Sequence, residues 1–413
     1  MSEFKVQDGA RLVVKYGGTS LADGARVSNA ANMILEALKK GSRIAVVVSA
    51  MGRTTDTLMK IASEALNGVN PGSSDIDDLL SMGERTSARL LTTVLRSLGV
   101  EARYFDPEEE DWPIITDDRF GDAEPILSEC AQRIRDHVAP LMDRGAVPVI
   151  PGFIGKTLDG RITTIGRGGS DTTAFILAQY LGAVEVVLVT DVDGIMTADP
   201  KLVGEAKPLP EISARELAGL ADSGTKFIHK KALRYKPKEV NVRVLNYKKG
   251  TLEAVGTLIK GEFPGELEGK LGLQEPLDMV TVVGRVTSNP QLVYRLLRAA
   301  SKAGKILGIS SDENSLILYL SSKVSGKALR EIHRIVSEAG DAVALAARRS
   351  VALIRVEGVG LEDTPGLIGK ISNPLRERGM NIFGIFTVAS SISILVDWER
   401  REEAIQLIKK SLK

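Results

Sequence analysis

Short β-branched runs recur through residues 1–255 with helical patterns between them: "RLVVKY", "RIAVVVSA", "VPVIPGFI", "VEVVLVTDV" and "VNVRVL", separated by stretches such as "ARVSNAANMILEALKK". The strand-like runs are too continuously apolar to belong to a sheet with one wet face, and the segments between them have the 3.6-residue period of amphipathic helices. That alternation dictates a mainly parallel central sheet with helices on both faces. The low aromatic content, 4% against 43% hydrophobic, suits an aliphatic interior of this type.

The rhythm breaks near residues 247–272, "YKKGTLEAVGTLIKGEFPGELEGKLG", where glycine and charge become frequent, as at a domain junction. Beyond it a shorter pattern occurs twice. "LDMVTVVG" leads into helical "NPQLVYRLLRAASKAGK", and "SVALIRVEG" into "TPGLIGKISNPLRERGM". Each continues with a strand-like run, "SLILYL" or "SISILVD", and a second helix, "KALREIHRIVSEA" or "REEAIQLIKKSL". Two βαββαβ units of about 70 residues each are expected, over 270–342 and 347–413.

Charge excludes several function classes. With 54 basic and 53 acidic residues the net charge is +1, so no global field favours nucleic acid or an anionic membrane, and small molecules are the expected ligands. The N-terminal "MSEFKVQDGARL" lacks the apolar core of a signal peptide, and no apolar run approaches the roughly 18 residues of a spanning helix. A cytoplasmic protein is expected. The single Cys130 falls at helical spacing with Ile126, Leu127 and Ile134 and reads as packing. His137, His229 and His333 are too far apart for a structural zinc site.

The chemistry should sit in the glycine-rich stretches that end strands. In "VVKYGGTSLADG" an apolar strand runs into Lys15, Gly17, Gly18, Thr19 and Ser20. A Gly-Gly turn at the carboxyl end of a central strand exposes backbone N–H groups to an anion, toward which Lys15 can point. The same residues also suit a plain tight turn with a solvated lysine. "TTIGRGGSDTTAFILAQYLGA", residues 163–183, repeats the theme: Gly168, Gly169 and Ser170 can form an anion-binding nest, and Asp171 either caps the helix or binds an ammonium. "VTDVDGIMTADPK", residues 189–201, offers hydroxyls and carboxylates suited to nucleotide or Mg²⁺ contacts, and "GTKFIHKKAL", residues 224–233, adds Lys226. No stretch matches G-x-x-x-x-G-K-[ST], so a nucleotide would be bound by another architecture.

In order and spacing, "KYGGTS" at 15–20, "VVSAMGRTTD" at 47–56, "SMGERTSA" at 81–88, "GRGGSDTTA" at 166–174 and "TDVDGIMTADP" at 190–200 closely resemble the aspartate kinase signatures of the amino-acid kinase family. The resemblance covers essentially the whole chain. It implies an α/β amino-acid kinase fold over 1–255, followed by two ferredoxin-like ACT units. It implies Mg²⁺-ATP-dependent phosphorylation of the L-aspartate side-chain carboxylate to 4-phospho-L-aspartate, the first step toward lysine, threonine and methionine.

Carried over by position, the resemblance implies that Lys15, Gly17 and Gly18 hold the transferring γ-phosphoryl group with Thr19 and Ser20 alongside. Ser49 and Thr55 line the aspartate pocket, with Gly168, Gly169 and Ser170 in its glycine loop. Glu84 and Asp171 receive the substrate ammonium, and Arg167 clamps a carboxylate. Thr190, Asp191, Met196 and Asp199 contact ATP, and Lys226 lies near its phosphates. Mg²⁺ arrives with ATP. In the second ACT unit Asp363, Pro365, Gly366, Asn381 and Ile382 match the effector-site style, with lysine or threonine as effector and an ACT-mediated homodimer as the assembly. Met196 stands where an aromatic is common, Lys230 where proline is usual, and Gln291 where glycine is frequent.

Two competing readings are a kinase for glutamate or an N-acylated amino acid, and an amino-acid sensor whose function rests in the ACT units. The carboxylate pair Glu84 and Asp171 disfavours an acylated amine. Lys15, Arg167, Asp171 and Lys226 together exceed what a sensor needs.

Overall fold

The computed structural model describes residues 9–67, 73–221, 228–261, 268–321, 324, 326–358, 361, 365–387 and 391–412. The chain divides into two compact units, residues 1–264 and 265–413. The eight-stranded sheet of the first is built from β1 (Arg11–Tyr16), β2 (Arg43–Val48), β3 (Ala102–Tyr104), β4 (Val147–Pro151), β7 (Glu185–Thr190), β8 (Glu211–Ser213), β9 (Asn241–Asn246) and β10 (Thr257–Lys260), with a separate hairpin of β5 (Ile154–Lys156) and β6 (Ile162–Thr164). Strand order is β3-β4-β2-β1-β7-β9-β10-β8. The six strands from β3 to β9 are mutually parallel, as the alternation predicts, and β10 turns back antiparallel to β9. Because β10 lies in this sheet, the first unit runs beyond the boundary expected at residue 255.

Helices α1 (Gly24–Lys39), α2 (Thr54–Leu66), α3 (Ser73–Ser97), α4 (Leu127–Arg133), α5 (Ala139–Asp143), α6 (Gly169–Leu181), α7 (Ala214–Ala221) and α8 (Lys230–Leu233) complete the unit. Alternate residues of β1 serve opposite faces. Leu12, Val14 and Tyr16 pack with Val27, Met33, Ile34, Ala88 and Leu91 of α1 and α3, while Val13 packs with Ala174, Phe175 and Ile176 of α6. Helix α6 is buried from Gly169 through Ala178 because its side chains are small or apolar on every side, the signature of a helix inside the protein rather than on its surface. Cys130 is wholly buried against Ile115, and burial pushes its thiol up to about 12.

The second unit contains β11 (Glu268–Leu271), β12 (Leu277–Gly284), β13 (Lys305–Ser311), β14 (Ser315–Ser321), β15 (Ala342–Glu357), β16 (Gly384–Thr387) and β17 (Ser391–Asp397), with helices α9 (Pro290–Ala303), α10 (Gly326–Glu338), α11 (Leu367–Glu377) and α12 (Arg401–Leu412). The strands follow β13-β14-β12-β15-β17-β16, with β11 also paired to β15. Both βαββαβ patterns are present, but they share a strand. The first half of β15 pairs with β12, and the second half pairs with β17 on one side and β11 on the other. Ser350, at φ 58°, marks the bend between the halves. The second repeat therefore takes its closing edge strand from residues 268–271, upstream of the first repeat. Periodicity alone could not reveal this, because strand partners are chosen by long-range register.

A buried ion pair ties the sheet of the first unit together away from the strand ends discussed below. Arg243 on β9 makes a bidentate contact to Glu185 at the start of β7, at 2.9 and 2.7 Å, and also donates to the Leu252 and Ala254 carbonyls. Arg243→Leu leaves Glu185 charged in the core and is expected to destabilise the full chain by about 3–5 kcal/mol in denaturant unfolding. Adding Glu185→Leu should recover part of that loss, since the stranded charge is then gone.

Candidate active site

The carboxyl ends of β1, β2, β4 and β7 converge on one edge of the sheet. Beyond β1, the Gly17 N–H donates to the Val189 carbonyl (3.1 Å), the Ser49 N–H to the Tyr16 carbonyl (3.0 Å) and the Gly52 N–H to the Gly18 carbonyl (2.9 Å). A Cβ on Gly18 would stand 2.6 Å from the Ala50 carbonyl oxygen, so this position excludes any side chain. Thr19 is exposed, whereas Ser20 is buried and its hydroxyl donates to the Val189 carbonyl at 3.1 Å. Ser20 thus pins the turn from within.

Lys15 leaves β1 partly buried, with Nζ 2.7 Å from Oδ1 of Asp171. Asp171 occupies the first turn of α6, where the unpaired N–H groups of a helix start favour a carboxylate. The resemblance assigns these two charges to different ligands; in the structure they face each other as an ion pair.

Glu84 lies behind the β2 turn. Gly83 brings α3 against that turn so closely that a Cβ there would meet the Ala50 Cβ at 2.9 Å and the Thr55 hydroxyl at 3.7 Å. Glu84 is 4% exposed. Its Oε1 accepts from the Ala50 N–H at 3.1 Å, and its Oε2 has no hydrogen-bond partner among the described residues. Burial raises its carboxyl to about 7, only partly offset by the Ala50 hydrogen bond. A buried carboxylate oxygen without a donor is costly for the protein and well suited to an incoming ammonium.

The third wall is the loop before α6. Gly166 and Gly168 have φ of 79° and 80°, the left-handed conformation that flanks Arg167 on both sides. A Cβ on Gly168 would fall 2.4 Å from the His229 Cβ, and one on Gly169 2.9 Å from the Phe153 Cα. The Ser49 hydroxyl donates to that of Ser170 at 3.0 Å, joining this loop to the end of β2. Arg167 is exposed.

The neighbouring end of β7 supplies Thr190, whose hydroxyl donates to the Asp191 carboxylate at 3.2 Å, with Asp191 itself exposed. Met196 is partly buried and bridges to Pro208. The Asp199 carboxylate accepts from the Lys201 N–H at 2.8 Å, so it is committed to its own turn. Lys226 and the Lys230 side chain lie outside the described residues. In the second unit, Asp363 is also outside them; Gly366, at φ 77°, begins α11 after Pro365, Asn381 is exposed, and Ile382 packs on the core below α11 and α12.

Three residues holding this site together carried no recognisable sequence signal. Asp77, buried on α3, accepts from the N–H groups of Gly121 (2.8 Å) and Thr164 (2.7 Å) and from the Thr164 hydroxyl (2.9 Å). Asn246, at the end of β9, donates to the Asp193 carboxylate (3.0 Å) and the Asp191 carbonyl (3.3 Å). Lys231 reaches the segment just before Arg167.

Residues 10–246 match the model of the amino acid kinase family, more than half of the chain, and residues 346–410 match an ACT domain. The chain belongs to the amino acid kinase family. An aspartokinase of Thermus thermophilus is 33% identical, covering 97% of this chain and 98% of its own. A crystal structure of aspartate kinase from Synechocystis superposes with a TM-score of 0.81 at 26% identity, covering 97% of this chain and 69% of that one. E. coli aspartokinase III in complex with aspartate and ADP matches with a TM-score of 0.55 at 25% identity, covering 97% of this chain and 99% of that one. No helix among the described residues is long and apolar enough to cross a membrane.

In this kinase the raised Glu84 carboxyl has a consequence of definite sign. The folded protein holds a proton on Glu84 that the unfolded chain releases between the ordinary value of 4.5 and about 7. Stability is therefore lost as pH rises through that window. An ammonium ligand needs the charged form. Affinity for an amino acid is expected to rise as pH rises from 6 through about 7, and Glu84→Gln should flatten that dependence; titration calorimetry across this range checks both.

Proposed function

We propose that the chain is an aspartate kinase, transferring the γ-phosphoryl group of MgATP to the side-chain carboxylate of L-aspartate in the opening step toward lysine, threonine and methionine. The full-length similarity to aspartokinases supports the reaction. The observation that carries the substrate class is the Oε2 of buried Glu84, without a donor among the described residues, which calls for a free ammonium rather than an acylated amine.

In this reading the aspartate ammonium pairs with Glu84, and the Ser49, Thr55 and Ser170 hydroxyls with the Gly168 and Gly169 loop fix its register. Arg167 takes the α-carboxylate through its guanidinium fork. The β-carboxylate then faces the γ-phosphate held by Lys15, the Gly17 and Gly18 turn and Thr19, with Lys226 nearby. Thr190, Asp191, Met196 and the turn capped by Asp199 form the nucleotide side. A carboxylate oxygen forms the new bond to γ-phosphorus while the bond to the ADP oxygen breaks. The nucleophile is already ionised, so no side chain has to remove a proton. Catalysis consists of positioning and charge neutralisation, to which the magnesium carried by ATP adds. Asp171 orients Lys15 and joins the ammonium pocket once the lysine turns to phosphate.

The ACT pattern supports a homodimer formed through the second unit and control by lysine or threonine near the Pro365-Gly366 turn, with Asp363, Asn381 and Ile382. An effector of this kind acts by preferring one of two states of the enzyme. The compartment we propose is the cytoplasm.

Hydroxylamine trapping of acyl phosphate tests the reaction. With MgATP, aspartate is expected to give the hydroxamate and glutamate and N-acetylglutamate none; no product from any acid contradicts the proposal. Arg167→Lys should raise the aspartate KM by about tenfold or more, because a point charge cannot form the bidentate contact. An unchanged KM would remove Arg167 from the pocket.

A further inference from the structure

The loop carrying Arg167 has little intrinsic stiffness, since glycines in the left-handed region stand on both sides of the arginine. The guanidinium has no ion-pair partner among the described residues. Its direction is set by whatever fixes the backbone around it. Asp77 holds one side through Thr164 and Gly121. Lys231 holds the same side one residue closer to the arginine, at Ile165.

Lys231 extends from the short helix α8 with its side chain only 10% exposed. Its ammonium donates to the Ile165 carbonyl (2.7 Å), the Ala123 carbonyl (3.1 Å) and Oδ1 of Asp122 (2.6 Å), so all three N–H donors are committed. Glu124 lies 3.7 Å away. Asp122 in turn presses on the loop: a Cβ on Gly166 would stand 2.5 Å from its Oδ1. At the other end of the same segment, His229 fills the space beside Gly168. The N-cap and first turn of one short helix therefore meet the Arg167 loop on both sides of the arginine, at Ile165 and at Gly168.

We propose that Lys231 is a positioning residue for Arg167, a latch that joins the 122–124 turn to the Ile165 carbonyl and thereby sets the affinity of the substrate-carboxylate clamp. The proposal rests on the reading of Arg167 as that clamp. Lys231 touches no reacting atom, and its effect passes through the loop. Asp122 is mostly exposed and regains water when the lysine is lost, but the Ile165 carbonyl loses its fixed donor, and small displacements of a binding group are expensive.

The test is a double-mutant cycle on the full-length enzyme, read as the aspartate KM. Lys231→Met is expected to raise that KM by about tenfold while the ATP KM stays within about twofold. In an Arg167→Ala background the same substitution should shift the aspartate KM by less than about twofold, because the group it positions is gone. Equal effects in the two backgrounds, or a loss confined to kcat, would overturn the latch while leaving the Arg167→Ala defect, and so the clamp, intact. If Arg167→Ala alone leaves the aspartate KM unchanged, the clamp reading fails and the latch with it. Should Lys231→Met not fold, Asp122→Ala removes the exposed arm of the latch and is run through the same cycle, with a smaller rise of about threefold expected and the same independence of Arg167 as the contradicting result.

Discussion

Lys15 and Asp171 meet at 2.7 Å where the central strand of the sheet ends and the most buried helix begins. Removing one partner would be costly, since an unpaired ion at this depth loses much of its hydration. Their contact fixes the distance between β1 and the start of α6. That start in turn places the Gly168 and Gly169 loop over β4 and brings Ser170 to Ser49. In the proposed reaction phosphate and ammonium replace these mutual partners, so each charge is compensated both before and after binding.

Much of the remaining architecture exists to let backbone approach backbone at this edge. Gly18 lies against the Ala50 carbonyl and Gly83 brings α3 against the same turn, so Glu84 reaches Ala50 from behind. The cost is an acid whose second oxygen is unsatisfied, a local defect of the kind that recurs at binding sites. In the proposed reaction that defect becomes selectivity, because a substrate without a free ammonium leaves it uncorrected.

The parallel sheet and the glycine loops were legible in the sequence because local preference and function coincide there. Continuously apolar strands must be buried on both faces, and a glycine with a left-handed φ or a neighbouring carbonyl is required whatever the ligand. Contacts made across the fold were not legible. Ser20 and Asp199 have the residue types of ligand contacts, yet the serine hydroxyl serves the Val189 carbonyl and the aspartate caps its own turn. Lys231 has no motif around it in "HKKAL", and only the fold reveals the three acceptors at its ammonium. The pairing of β11 with β15 was hidden for the same reason, since a four-residue edge strand has no period of its own.

In the proposed reaction Asp171 aims Lys15 at phosphate, and Asp171→Asn tests this most directly because it preserves shape and removes only the charge. Steady-state kinetics should show kcat reduced by about a hundredfold or more, with smaller changes in the KM values for aspartate and ATP. An unchanged kcat with only the aspartate KM raised would contradict this, and would leave Asp171 acting on the amino acid's ammonium alone and not on Lys15.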